Sequence, residues 1–281
     1  MYHPVAVEND LDAGNTETDH RCLWHRRSAW SMKVLLVGGS GHVGTFITPY
    51  LRKQHDLRVL DVRPPRHDGI DYVEGSIADP EALRRALDGV DVFMDLVMKS
   101  GQGGSSTDQS ISTIQDNYQV NCLGLHLLLY TAQELGVKRG IYTSTVSVHY
   151  RQRPWFPSEE LVPLDTPSAY GLTKGLGELI CQYFARWFDM NLIALRITGP
   201  RTREQWREER IQPRPAAEKI YVTDEEDLAR AYLAAIDAVQ VGHGRFDAVF
   251  VAGDELEQTY NMSKAKRLLG WEPQAHHMGD E

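Results

Sequence analysis

The chain has 281 residues, of which 42% are hydrophobic and 25% charged, with a formal net charge of −9. That length suits an α/β domain with a small appendage and a sizeable core, and the acidic balance argues against a nucleic-acid partner. No apolar run approaches the length of a membrane span. Cys22, Cys122 and Cys181 have neither paired nor metal-type spacing, as expected of reduced thiols in a cytoplasmic protein.

Residues 1–31 show no periodicity and no apolar core for a signal peptide, so a disordered N-terminal tail is expected. Residues 34–37 are an apolar run suited to a buried parallel strand. Gly38, Gly41 and Gly44 follow at three-residue intervals, and a helix opens behind them. A dinucleotide site needs glycines there for a tight turn, for close approach of the pyrophosphate and for helix–strand packing. The helix start then offers its free N–H groups to the phosphates. A second strand over 57–62 carries Asp61, 17 residues beyond Gly44, where a carboxylate can accept from the adenosine ribose hydroxyls. Such a carboxylate repels a 2′-phosphate, so NAD is favoured and NADP is the weaker alternative. Arg63 and Arg66 argue in the other direction.

A short strand over 71–74 precedes Gly75-Ser76-Ile77, and Asp79 caps a helix that begins at Pro80. Ser76 and Ile77 suit the wall of an adenine pocket. An apolar strand over 91–97 leads to a glycine- and serine-rich loop at 98–108, at the carboxyl end of a strand where ligands bind in open α/β sheets. Residues 111–135 read as one long helix that is apolar on more than one face. Asn121 within it reaches the cofactor, stiffens a nearby strand or is a satisfied polar group of the core.

The strand over 140–148 places Thr143, Ser144 and Thr145 at its carboxyl end. Tyr170 and Lys174 follow four residues apart on a helix, so they share one face. Oxidation of a secondary alcohol needs a base near neutral pH, and a free tyrosine titrates near 10. A lysine ammonium beside it would favour the phenolate, and Thr145 or Ser144 would orient the substrate oxygen. Arg201 and Arg203 are candidates for a carboxylate or phosphate fork, set against a plain mixed-charge helix. His276 and His277 form no metal constellation, and no metal site is expected.

The motifs GGSGHVG, Asp61, GSIAD, NCLGLHLLLYTAQELGVKRGIYTST, YGLTK, LRITGP, YVTDEEDLARAYLAAI and NMSKAKRLLGWEP together resemble an extended short-chain dehydrogenase/reductase of the NAD-dependent epimerase/dehydratase family. The resemblance implies an α/β fold: a doubly wound parallel Rossmann sheet with helices on both faces, at 32–198, and a small C-terminal substrate lobe at 199–281 interleaved with the core. It implies a catalytic set of Thr145 (or Ser144), Tyr170 and Lys174. It also implies a cofactor wall of Gly38, Gly41, His42, Val43, Gly44, Asp61, Ser76, Ile77, Leu96, Asn121 and Ile197, with Tyr170 and Lys174 at the nicotinamide end. Family members often dimerise through the helices that correspond to 111–135 and 168–188.

Three departures stand out. Ser76 replaces the usual acidic residue, Thr145 replaces the commoner serine, and only twenty residues separate Pro200 from Tyr221. That is little material for a nucleotide-diphosphate clamp, and the compact size is similar to uronate dehydrogenases. The expected function is an NAD-dependent oxidoreductase acting on a sugar or sugar acid. A nucleotide-sugar epimerase or dehydratase that retains its NAD is the alternative, and a non-catalytic dinucleotide-binding sensor is an alternative of another class.

Overall fold

Val34 and Leu36 face one apolar layer, and Leu35 and Val37 face the other, as a strand covered on both sides requires. The structure is a computed structural model that describes residues 31–100, 109–150, 153–211 and 221–275. The expectations for residues 1–30, for 101–108 and for His276 and His277 lie outside the described residues. The strands are β1 (Lys33–Val37), β2 (Asp56–Asp61), β3 (Asp71–Glu74), β4 (Val92–Asp95), β5 (Arg139–Thr145), β6 (Asn191–Ile197), β7 (Pro200–Arg201), β8 (Thr223–Asp224) and β9 (Phe246–Val251). Seven of them form one parallel sheet in the order β3-β2-β1-β4-β5-β6-β9, and β7 pairs with β8. The strand order reverses between β1 and β4, which opens a crevice at the carboxyl ends.

The helices are α1 (His42–Leu51), α2 (Pro80–Leu87), α3 (Ile111–Asn117), α4 (Leu125–Glu134), α5 (Ala169–Phe188), α6 (Arg203–Ile211), α7 (Glu225–Val241) and α8 (Ser263–Leu269). Helices α1, α7 and α8 cover one face of the sheet through residues such as Ile47, Tyr232 and Leu269. Helices α2, α4 and α5 cover the other through Leu83, Leu128 and Phe184. Asp79 caps α2 by accepting from the N–H of Glu81 and of Ala82.

One feature differs from expectation. The single helix at 111–135 is broken by a wider π turn, Tyr118–Gly124, between α3 and α4. Asn121 in that turn is held by partners outside the helix, and such bulges arise where side chains are drawn out of register. The residues after β6 are divided between the core and the carboxyl edge of the sheet. Helix α7 runs to Val241, and its apolar face lies in the core against β5 and β6. What remains at the carboxyl edge of the sheet is the β7–β8 pair, α6 and the segment after β9. Asp227 ties down the last of these, its carboxylate accepting from the N–H of Gln274 and Ala275.

Candidate active site

The turn after β1 places Gly38 at φ +79°, where a side chain would be strained, and its N–H donates to Leu60 O of β2 at 2.8 Å. A Cβ on Gly44 would lie 2.2 Å from Gly39 O, so α1 packs directly on the turn. Asp61 closes the same turn. Its Oδ2 accepts from Ser40 N at 3.0 Å and its Oδ1 from Arg63 N at 3.1 Å. The glycine turn and the end of β2 are therefore one braced unit.

This unit forms one end of a cavity of about 880 Å³. Gly38, Gly41, His42, Val43, Asp61, Ser76, Ile77 and Leu96 line it there, and Thr145, Tyr170, Lys174, Ile197 and Arg201 line the remainder. Arg63 also lines it, while Arg66 does not. The open turn, the helix start and the terminal carboxylate of β2 fit a dinucleotide: a phosphate-accepting backbone beside a ribose-accepting side chain.

Four of the expected site residues lie away from the cavity wall. Gly44 sits beneath it, as packing demands. Asn121 is buried and accepts from Lys99 N at 3.0 Å, while its amide donates to Lys99 O and Asn117 Oδ1. It fixes the segment after β4 instead of facing the ligand space. Ser144 points to the opposite face of β5 from Thr143 and Thr145, because strand side chains alternate. Its hydroxyl donates to Glu178 Oε1 at 2.5 Å. Arg203 is drawn to the acidic start of α7, with Nε 3.1 Å from Asp224 Oδ2 and Nη1 donating to Ala275 O. Arg201 does line the cavity, with its Nε paired to Glu209 and Nη1 donating to Pro200 O at 3.0 Å.

Ser168 caps α5, accepting from Gly171 N at 2.9 Å, and this sets Tyr170 in the first turn with Lys174 one turn on. Lys174 is buried. Its Nζ donates to Val97 O at 2.9 Å and to Thr143 O at 2.8 Å, and it stands 4.7 Å from the centre of the Tyr142 ring. Burial pushes the Tyr170 hydroxyl up to about 12, while its hydrogen bond with Thr145 pulls it back down. Thr145 is thus the side chain that counteracts the burial of Tyr170, while the Lys174 ammonium donates to two carbonyls.

Beneath Ser144 lies a buried ionic cluster. Arg196 meets Glu178 through two N–H donors, at 2.9 and 2.7 Å. Its Nη1 donates to Glu159 O and approaches His149 Nε2 at 3.2 Å. His149 Nδ1 lies 2.8 Å from Pro163 O, so Nδ1 carries the proton and Nε2 accepts. Burial holds His149 down at about 4. The cluster anchors the segment between β5 and α5 to the sheet.

Sequence reasoning missed an aromatic wall. Phe156, Tyr221 and Tyr260 line the cavity with Ser147 and Thr166. The Phe156 and Tyr260 rings stack at 4.8 Å, and Phe156 pairs through its backbone with Thr259 and Asn261. The proline-flanked pair Trp155-Phe156 was the sole local signal. Among the described residues no cluster of His, Cys, Asp and Glu could hold a metal, and no helix is long and apolar enough to cross a membrane.

Several known proteins are similar. A 3 beta-hydroxysteroid dehydrogenase/Delta 5-->4-isomerase of Mycobacterium tuberculosis is 34% identical over 121 residues, 41% of this chain. The chain thus spans only 32% of that relative's length. The uronate dehydrogenase of Pseudomonas syringae is 26% identical over 219 residues, covering 75% of this chain and 72% of that one. Among solved structures, a glucuronic acid dehydrogenase from Chromohalobacter salexigens superposes with a TM-score of 0.68 at 22% identity, covering 89% of this chain and 90% of that one, which shows a shared fold. Residues 34–214, more than half of the chain, match the NAD dependent epimerase/dehydratase family, and the chain belongs to that family.

Proposed function

We propose that the chain is an NAD-dependent oxidoreductase acting at a secondary or anomeric hydroxyl of a sugar or sugar acid. The observation that carries this reading is the meeting of Thr145, Tyr170 and Lys174 in the same cavity as the glycine turn and Asp61. The uronate dehydrogenase relative, which aligns with most of both chains, supports the substrate class. Gly38, Gly41, His42, Val43 and Asp61 would hold the dinucleotide, with Ser76, Ile77 and Leu96 at its flank. Bound oxidised nicotinamide supplies the two-electron acceptor and a positive charge. Tyr170 takes the substrate hydroxyl proton, and the Thr145 hydroxyl orients the oxygen. Two of the three Lys174 N–H donors are used on Val97 O and Thr143 O, which leaves one for the cavity. Arg201 stands at the substrate end. Asp61, which favours a free 2′-hydroxyl, supports NAD over NADP.

The short α6 region, in place of a long nucleotide-binding insertion, supports a dehydrogenase that releases NADH over an epimerase that retains NAD. We further read the protein as a homodimer built on α3–α4 and α5. Leu172, Leu179, Tyr183 and Trp187 form an exposed apolar stripe on one face of α5, and Ile114, Tyr118, Leu123 and Tyr130 are exposed along α3–α4. Residence in the cytoplasm fits the same reading.

The test is NADH absorbance after mixing the protein with NAD and a panel of uronic acids and aldoses. NADH accumulation with one of them supports a dehydrogenase. Silence across the panel, with NAD found already bound in the purified protein, moves the reading to an epimerase. Tyr170→Phe should keep NAD affinity and lose turnover by about 10²–10⁴-fold. Turnover at the wild-type rate in that variant overturns the mechanism.

A further inference from the structure

Asp95 ends β4 and is 2% exposed, yet nothing in the proton transfer described above uses it. Its Oδ1 accepts from Val97 N at 2.9 Å. Val97 is the residue whose carbonyl receives Lys174 Nζ, also at 2.9 Å. The same residue lies against the glycine turn, where a Cβ on Gly38 would come within 3.0 Å of Val97 N. The backbone of one residue therefore touches Asp95, Lys174 and the glycine turn at once.

The surroundings of Lys174 single out Asp95 further. Burial pushes the ammonium down, and Asp95 is the foremost charge pulling it up. The other groups facing it are Tyr142 on β5, Glu178 and Cys181 on α5, and Cys122 in the π turn. Burial raises the Cys122 and Cys181 thiols and the Tyr142 hydroxyl, so these stay neutral. Glu178 is committed to Arg196 and Ser144. Among the described residues, Asp95 is thus the carboxylate linked to Lys174 through Val97, whose N–H donates to the one and whose carbonyl accepts from the other. The effect is mutual: burial raises Asp95, and Lys174 draws it down. A buried ammonium in a dry site is held in its charged form by such a partner.

We propose that Asp95 is a positioning residue for Lys174, fixing the Val97 carbonyl that the ammonium donates to and supplying the negative charge that keeps the lysine protonated. The role that this gives Lys174 in catalysis rests on the dehydrogenase reading, but the pairing itself does not. Asp95→Asn separates the two parts, because the amide oxygen still accepts from Val97 N while the charge is gone.

The experiment is a titration of lysine Cε by NMR in protein labelled with ¹³C-lysine, with Lys174→Arg used to assign the signal. In Asp95→Asn the Lys174 transition should fall by about one pH unit or more. NAD affinity, read from intrinsic fluorescence, should stay within about twofold, since the turn is still braced. Under the dehydrogenase reading the basic limb of the pH–rate profile should move to lower pH by the same amount, because turnover requires the protonated lysine. An unmoved Lys174 transition in folded Asp95→Asn overturns the pairing, and so does a loss of NAD binding without any change in Lys174. Wild-type protein labelled with ¹³C-aspartate decides the matter if the variant does not fold: Asp95 still protonated at about pH 8, far above the ordinary carboxyl range, overturns it. Absence of turnover on every substrate defeats the dehydrogenase reading and leaves the NMR result standing.

Discussion

Gly44 and Gly41 sit three residues apart but should fail in opposite ways when each is changed to alanine. A Cβ at Gly44 would lie 2.2 Å from Gly39 O and 2.6 Å from both Gly39 C and Gly39 Cα. These are backbone atoms of a braced turn, so no side chain can swing aside. Helix α1 must shift off the turn, an overpacking cost at the upper end of the usual range, about 3 kcal/mol. For a domain of this size that lowers Tm by about 6–12 °C. A Cβ at Gly41 meets only Gly38 O, at 3.1 Å. Stability should therefore stay within about 1 kcal/mol of wild type. Gly41 lines the cavity, however, and in the proposed site its new methyl group would stand where the pyrophosphate approaches the helix N–H groups. Loss of charge-assisted hydrogen bonds of about 1.5–3 kcal/mol raises the Kd for NAD by about 10–100-fold. Thermal melts and NAD titrations on both variants check the pair. A Gly44→Ala protein that melts like wild type refutes the packing argument, and a Gly41→Ala protein that binds NAD like wild type refutes the phosphate argument.

His149 gives a pH dependence. Its folded value, about 4, lies below the ordinary 6.5, so the unfolded chain takes up a proton first as pH falls. The stability it contributes is full above about pH 6.5 and is lost progressively down to about pH 4. Urea unfolding should show a loss of about 2 kcal/mol between about pH 7 and pH 5, and His149→Gln should flatten that slope. Equal slopes in the two proteins would remove His149 as the cause. The dimer surface is tested with Leu179→Glu and Trp187→Glu, at side chains 51% and 65% exposed. Each should leave stability within about 0.5 kcal/mol and convert a sedimenting dimer to monomer. A wild-type monomer, or a variant that stays dimeric, rules that face out.

What was legible in the sequence was local. The run from Val34 to Gly44, the capping of α2 by Asp79 and the four-residue step from Tyr170 to Lys174 each follow from periods and turn chemistry within a few residues. The choice between Thr145 and Ser144 was open at that level, although a period of two already separates neighbouring strand residues by face. What the period does not say is which face meets the ligand. That depends on Glu178 and Arg196, brought beneath Ser144 by α5 and β6. Arg201 and Arg203 show the same limit. Both are arginines of one short segment, and only the placement of α7 decides that Arg203 serves Asp224 while Arg201 lines the cavity. The π turn is likewise set by long-range bonds from Asn121 to Lys99.

The backbone pairing of Phe156 with Thr259 and Asn261 divides the molecule's capacity for change. In the proposed site the glycine turn and β2 would build the cofactor half from contiguous secondary structure, where each residue is constrained by its neighbours. The aromatic wall is assembled from three stretches, around Phe156, Tyr221 and Tyr260, and the first and last of these, a hundred residues apart, meet at two backbone hydrogen bonds of Phe156. Under the proposed function, substitutions at 153–166 and 254–262 would therefore reshape the substrate end while the dinucleotide end stays intact. A library confined to those two stretches would then sample new alcohols with the redox chemistry held constant.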